Sequence, residues 1–536
     1  MRAHRHPVMP LVALWVAAGA FALAACGSSS TNKSSTTSTG GQKGTSQKGG
    51  SLTVLEDTAF AGAWPAGLDP ATNTNGAANQ PYMNSIYGQL FKLNEKGKVV
   101  PELVSAYKYE DGGKTVKLTL RQGVKFSDGT PFDADAVVFN IKRDLKSTCT
   151  CRPTWPVKSI AAEGTDTVVL RFMQPFAAII ASFIDSNANW TASPTALKKL
   201  GERKFRITPV GAGPFKVVSN KLSSELVLER NPTYWKQGKP LLDKLTFKSI
   251  GGDQAAYQAM LAGQAQAYEG MSTPKLVQQA SKNGKLEVTQ QLSTSPYFMQ
   301  LNTTIPPFND PKARQAIYYA SDSEAIRSHI FDNMYESTQG FTGPGGLFYE
   351  PKVSGYRGYD LAKAKALVKE LGGLTVKLGT INVLVAKQTI QALQSQWQQA
   401  GIKVTISSYD LTGLIQAFQS KKWQAMLQTA GSYDPAQGVG VAFRMSSLSP
   451  FSGIKDKKLD GMLNQAAGTL DQNARKQMYA DMAKYISDQA YGPFYFAFAP
   501  ANVALKGVSG PGLTTAMPAV VVNPDVFWDE VSVSGS

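Results

Sequence analysis

"KTVKLTLRQGVKFSDGTPFDADAVVFNIKRDL", residues 114–145, changes its hydrophobic period halfway along. Val116, Leu118 and Leu120 alternate with polar residues, the period of a half-buried strand. Asp128-Gly129 supplies a turn, because glycine enters the left-handed region without a Cβ clash. Asp133 then stands where an N-cap is needed, just before a run with helical spacing. The stretch reads strand, turn, helix, and so predicts a mixed α/β protein.

Working outward, the same alternation of periods recurs. Val376 and Leu378, the apolar run Ile381 to Val385, a helical face of Ile390, Leu393 and Trp397, a stop at Gly401, and alternating Ile402, Val404 and Ile406 spell strand, helix, strand. A crossover of that length implies a parallel pair. Asp360 caps a helix carrying Leu361, Ala364, Leu367 and Val368 that ends at Gly372-Gly373. Met478, Met482, Tyr485 and Ile486 line a further helical face, followed by an apolar strand from Phe494 to Phe498. These stripes read as core. No internal repeat is visible.

The N-terminal end is of another kind. Arg2, His4, Arg5 and His6 precede an apolar stretch, Leu11 to Leu23, and small residues that end at Cys26, the form of an export signal and too short for a membrane span. Leu23-Ala24-Ala25-Cys26 resembles a lipobox, where residues 1–25 are removed and the Cys26 thiol is acylated. Residues 26–50 carry Ser, Thr, Gly, Gln, Asn and Lys and nothing apolar after the cysteine, so they cannot bury surface and are expected to form a disordered tether.

Formal charge is +16, but the lysines are scattered in runs no longer than two, and no zinc-finger spacing or RNP motif is present. The basic residues read as solvated charge on a protein held near anionic lipid, with no nucleic-acid partner. Beyond Cys26 only Cys149 and Cys151 remain, in "STCTCRP". Two thiols in an oxidising compartment tend to pair, yet a single intervening residue makes a tight ring, so a disulfide and two free thiols both stay open. A CxC supplies only two metal ligands, and no second cluster completes a site.

Much chemistry is missing. After the leader the sole histidine is His329, in "IRSHIFDN", so there is no HExxH and no zinc-ligand pair, and a Ser-His-Asp triad would have to be built on this one residue. Its place in the helical pattern "ARQAIYYASDSEAIRSHIF" suggests a partly buried structural role. There is no G-x-S-x-G elbow, and "GAG" at 211–213 is followed by Pro214 and lacks the Lys-Ser of a phosphate loop. No carboxylate pair announces itself by spacing. These absences point away from catalysis, and the expectation is a protein that is not an enzyme and has no cofactor or metal.

From Gln80 the chain reads "QPYMNSIYGQLFKLNEKGKVVPELVSAYKYEDGGKTVKLTLRQGVKFSDGTPFDADAVVFNIKRDL". This resembles the solute-binding proteins of dipeptide, oligopeptide and nickel ABC import systems, solute-binding protein family 5. The likeness continues in "GAGPFKV" at 211, "LERNPTYWKQGKPLLDKLTFKSIGGD" from 228, "LNTTIPPFNDPKARQAIYYASD" from 301, "GYDLAKAKALVKELG" from 358 and "YDPAQGV" at 433. The resemblance implies a type II periplasmic-binding-protein fold: two lobes joined by a hinge, with an extra subdomain inserted in the N-terminal lobe. On that basis the N-terminal lobe would run 51–294 with the insertion at about 81–205, the second lobe 295–495, and residues 496–536 would return to the first.

The implied function is capture of a peptide-like or other small polar solute outside the cell, as a monomer lipid-anchored at the extracytoplasmic face of a bacterial membrane. The solute would pass to ABC permease subunits driven by a cytoplasmic ATPase. Two other readings compete: a tethered cell-envelope hydrolase using carboxylates, and a ligand-sensing receptor on the same scaffold.

The chain departs from the family at one informative place. Peptide-binding members carry an Asp four residues before the proline of a "DP" segment, where it pairs with the peptide ammonium; here that position is Gly431, ahead of Pro435. The expectation is a ligand not read through a free α-amino group at this point. A nickel role is weak, since only His329 could offer imidazole. The resemblance places the ligand contacts at Glu56, Asp57 and Trp64 after the first strand, Trp190, Tyr297 beside the crossover, and Gly431, Tyr433, Asp434 and Arg444. Aromatics there could stack on a planar solute, and Arg444 could pair with an anion.

Overall fold

The computed structural model describes residues 48–58, 64–73, 76–147, 149, 151–438, 440–520 and 523–534. The leader 1–25, Cys26 and the tether as far as residue 47 lie outside the described residues. At the far end of the predicted tether, Gly49 and Gly50 are already docked: their N–H groups donate to Leu241 O and Asp243 Oδ2.

Two large sheets organise the chain. The first has seven strands in the order Leu286–Gln290, Ala501–Leu505, Ala267–Met271, Ser51–Asp57, Lys244–Ile250, Glu225–Arg230 and Phe215–Lys221. Ser51–Asp57 lies parallel to both of its neighbours, and the remaining pairs are antiparallel. The second has six strands: Glu336–Ser337, Phe494–Phe498, Ser295–Leu301, Ala425–Thr429, Leu374–Ile381 and Ile402–Tyr409. Each sheet carries its own apolar core, so the chain forms two lobes. It crosses between them twice, from Gln290 to Ser295 and from Phe498 to Ala501. Two short crossings side by side make a hinge.

The sequence patterns resolve into these elements. Leu374–Ile381 and Ile402–Tyr409 pair in parallel around the helix Leu384–Gln399, whose Ile390, Leu393 and Trp397 are buried against the sheet. The apolar run Ile381 to Val385 is divided: the strand stops at Ile381 and the helix has begun by Leu384. Trp397 donates its indole N–H to Ser321 Oγ at 2.9 Å, so its one polar atom is satisfied where the ring is dry. Truncating an aromatic side chain in such a place removes about 3–5 kcal/mol.

Asp133 and Asp360 cap the helices Ala134–Asp144 and Leu361–Glu370, accepting from the N–H groups of Ala136 and Lys363. The opening stretch builds an inserted antiparallel sheet of Val104–Glu110, Thr115–Leu120, Thr167–Phe172 and Val157–Glu163, against which the helix Ala134–Asp144 packs. Arg143 on that helix forks onto Asp69 at 3.2 and 2.8 Å, tying the insertion to the first lobe.

His329 corrects an expectation. It is exposed at the last residue of the helix Ser323–His329, while Ile326 fills the buried position one turn earlier. Among the described residues no helix is long and apolar enough to cross a membrane.

Candidate functional site

The residues that leave the strand Ala425–Thr429 form the seam between the lobes. Asp434 is completely buried, and both its oxygens accept from Arg475 Nη2 at 3.0 Å, while Arg475 Nε donates to Ala466 O. The Asp434 carboxylate also accepts from Ala436 N–H, so it fastens its loop to the helix Gln472–Asp488. Both oxygens thus face Arg475.

On its other side the loop is held by the first lobe. Asp185 of the insertion accepts from Tyr433 N–H at 2.8 and 3.0 Å and from Asp434 N–H at 3.1 Å. Tyr433 OH donates to Gly97 O at 2.7 Å, and its ring joins the core of the insertion. Thr154 Oγ1 donates to Gln437 Oε1 at 3.2 Å, another bond across the seam. Burial pushes the Asp185 carboxyl up to about 8, against the pull of the two backbone N–H groups. Sequence reasoning missed Asp185. The only trace was an acid closing the apolar run "FAAIIASFID".

Next to Asp434 lies Gly431, buried and without a side chain to offer an ammonium. The Ser432 hydroxyl beside it is buried with no hydrogen-bond partner. Arg444, on the helix Val441–Met445, is 7 % exposed; its Nε donates to Thr429 O at 2.9 Å. Among the described residues no carboxylate pairs with it. Desolvation lowers its guanidinium to about 9, which still leaves it charged at neutral pH. A buried cation without a counter-ion is unfavourable until an anion reaches it.

The aromatic candidates are held by other partners. Trp64 donates Nε1–H to Asn220 Oδ1 at 2.9 Å and sits 4.7 Å from the Tyr82 ring. Trp190 donates to Asn84 Oδ1 at 2.8 Å. Tyr297 lies in register with Thr429 and packs on Phe496 and Phe498 at 5.3 and 5.7 Å, bracing the start of the second-lobe sheet. Cys149 and Cys151 are joined as a disulfide. Cys149 also lines a cavity of about 730 Å³ whose walls come from both lobes: Lys146, Arg152 and Phe176 from the insertion, Ile415, Phe443 and Phe451 from the second.

Glu56 and Asp57 end the first strand, and both are buried. Glu56 stands in register with Glu269, a residue that sequence reasoning did not single out. Burial, reinforced at Glu56 by the neighbouring Glu269 charge, raises both carboxyls, Glu269 to about 8. Among the described residues no group of three or more His, Cys, Asp or Glu could hold a metal.

Comparison with known proteins bears on the family and the fold. The family model described as bacterial extracellular solute-binding proteins, family 5 middle, matches residues 98–449. The glutathione-binding protein GsiB of Salmonella typhimurium is 32% identical over 356 residues, 64% of this chain and 67% of the relative. The GsiB protein of Shigella flexneri is 30% identical over 353 residues, with the same coverage. Among solved structures, the periplasmic binding protein DppA of Helicobacter pylori in complex with the peptide STSA superposes with a TM-score of 0.76 at 20% identity, covering 91% of this chain and 99% of that one. AgaA of A. tumefaciens in complex with agropinic acid does so with a TM-score of 0.76 at 21% identity and the same coverage. At these identities the solved structures share the fold.

Proposed function

The chain belongs to the family 5 bacterial extracellular solute-binding proteins, the capture components of ABC importers, and from that premise we propose that it closes its two lobes around a small peptide-like or other polar solute bearing an anionic group. Arg444 carries this reading: a buried, charged guanidinium without a counter-ion, at the end of the strand that leads into the seam. Peptides, glutathione and agropinic acid, the ligands named for the relatives and structural neighbours, all bear carboxylate. An Arg fork matches that group in both geometry and charge.

In this reading the first lobe spans 51–294 with its insertion at about 81–205, the second lobe 295–495, and residues 496–536 return to the first. Solute contacts made by both lobes favour the closed state, and only that differential affinity moves the equilibrium. The protein acts as a monomer without turnover, tethered to lipid through Cys26 on the extracytoplasmic face, and delivers its cargo to a permease. The free α-amino anchor at position 431 is absent, so any cation on the solute is met elsewhere.

Mass spectrometry of the small molecule released on gentle unfolding tests this. The expected result is a carboxylate-bearing solute recovered intact. A neutral or purely cationic cargo would overturn the role given to Arg444, and a chemically altered solute would restore the hydrolase reading.

A further inference from the structure

Side chains in lateral register on neighbouring strands point to the same face of a sheet. In the seven-stranded sheet Glu56 is opposite Glu269, Glu269 opposite Asn502, and Asn502 opposite Thr289. The face is fixed by residues two positions away: Val54, Ala267 and Ala504 pack in the core with Tyr82 of the helix Gln80–Tyr87. The intervening Leu55, Tyr268 and Val503 pack in a separate core on the opposite side. Glu56, Glu269 and Asn502 therefore form a transverse row under that helix.

This row lies at the hinge. Asn502 is the second residue of its strand after one crossing, and Thr289 is the last but one before the other. Three residues beyond Glu269, Ser272 O accepts from Tyr335 OH of the second lobe at 3.1 Å. Among the described residues the row also receives no donor from outside itself. Both oxygens of Glu56, both of Glu269 and Oδ1 of Asn502 are buried with no hydrogen-bond partner, while Asn502 Nδ2 is engaged by Gly512 O. Among the described residues no Lys or Arg forms an ion pair with either glutamate. Among the described residues five oxygens thus converge with no donor from any other side chain or backbone group, and only a proton shared between the two raised carboxyls is at hand, an arrangement that is costly for a fold to keep unless something supplies further donors.

We infer that Glu56, Glu269 and Asn502 form a receiving site for an organic cation, an ammonium or guanidinium group carried by the captured solute. Two carboxylates on adjacent strands, roughly 5 Å apart, suit a group that presents several N–H donors from one centre. The neighbouring wall is aromatic: Tyr82, whose phenol feels the charges of both glutamates, stands between the rings of Trp64 and Phe247 at 4.7 and 4.8 Å. Aromatic rings beside carboxylates favour an organic cation over a hard metal ion, which takes an all-oxygen shell. The inference rests on the solute-capture reading above and gives the cargo a second charge, opposite to the one assigned to Arg444.

The test uses calorimetric titration of the full chain with N-acetylarginine amide, glutathione and free dipeptides, each beside a counterpart that lacks the cation: N-acetylcitrulline amide, N-acetylglutathione and N-acetyl dipeptides. The expected result is at least tenfold tighter binding of a cationic member than of its neutral counterpart, with the preference abolished in the Glu56→Gln, Glu269→Gln double variant. Because Gln keeps the size and removes only charge, the ligand-free variant should melt no lower than the native chain. Equal binding of both members, a preference that survives the double substitution, binding by no cationic probe, or a fall in the melting temperature of the ligand-free variant would each overturn the site. The last outcome would show a structural pair sharing a proton. None of these outcomes bears on whether a carboxylate solute co-purifies, so failure here is distinguishable from failure of the importer reading.

Discussion

Asp434 and Glu56 are both fully buried carboxylates, and their surroundings are opposite. Around Asp434 each oxygen accepts a hydrogen bond from Arg475, and Asp185 beside it takes the N–H groups that the same loop offers. Around Glu56 and Glu269 no other described residue provides a donor. Buried charge that is fully paired fixes a shape, whereas buried charge left open is destabilising on its own and makes sense only with a partner that arrives. The seam is built to be rigid when closed; the row under the helix Gln80–Tyr87 is built to be filled.

The largest effect follows from breaking the paired region. Arg475→Leu leaves the Asp434 carboxylate buried and unpaired, and denaturant unfolding should show a loss of about 3–5 kcal/mol. Glu269→Gln should cost little by the same measurement, since burial already holds that carboxyl largely protonated at neutral pH and Gln keeps its size. Similar losses in the two variants would erase the contrast between the regions.

How far the sequence foretold this depends on the range of the interaction. The alternations at Val116, Leu118 and Leu120 and at Ile402 and Val404, and the caps Asp133 and Asp360, are local signals, and the structure places strands and helices on them. Partners were not legible. Asp434 meets Arg475 from 41 residues away and Tyr433 meets Asp185 from 248, and no local rule selects those acids and bases from the 39 and 55 available. The two tryptophans show the same limit. An indole suited to stacking on a solute is equally suited to donating to Asn220 or Asn84, and only the fold decides which. Glu269 had no signal in the chain at all, because its importance comes from a register with Glu56 set by more than two hundred intervening residues.

Arg444 sharpens the comparison from the second lobe, where it is the open charge of opposite sign. Arg444→Gln keeps a donor of similar reach and removes the cation. Affinity for the carboxylate solute should fall by about ten- to a hundredfold, the range of one charge-assisted hydrogen-bonded pair at roughly 1.5–3 kcal/mol. Stability of the ligand-free chain should not fall. A variant that loses stability but keeps its affinity would move Arg444 into the paired class with Arg475.

The smallest effect is the most diagnostic of closure, because Asp185 belongs to the seam only when the lobes meet. Freed into water its carboxyl returns to the ordinary range near 4, and in the closed seam burial holds it at about 8. Closing therefore takes up a proton. Closure gains from Asp185 in full below pH 4 and loses that gain as pH rises through 8, by at most about tenfold in the closed-to-open ratio per pH unit between those limits. Asp434, the nearest acid, is neutralised by Arg475 and does not reverse the sign. Interlobe distance, followed by fluorescence transfer from pH 5 to 8.5, should shift toward the open form in the native chain. It should stay flatter in Asp185→Asn, which still accepts one backbone N–H but cannot ionise. An unchanged slope in that variant would assign the proton to Glu269, whose carboxyl is also raised to about 8, and would couple the open row, not the paired seam, to the movement of the lobes.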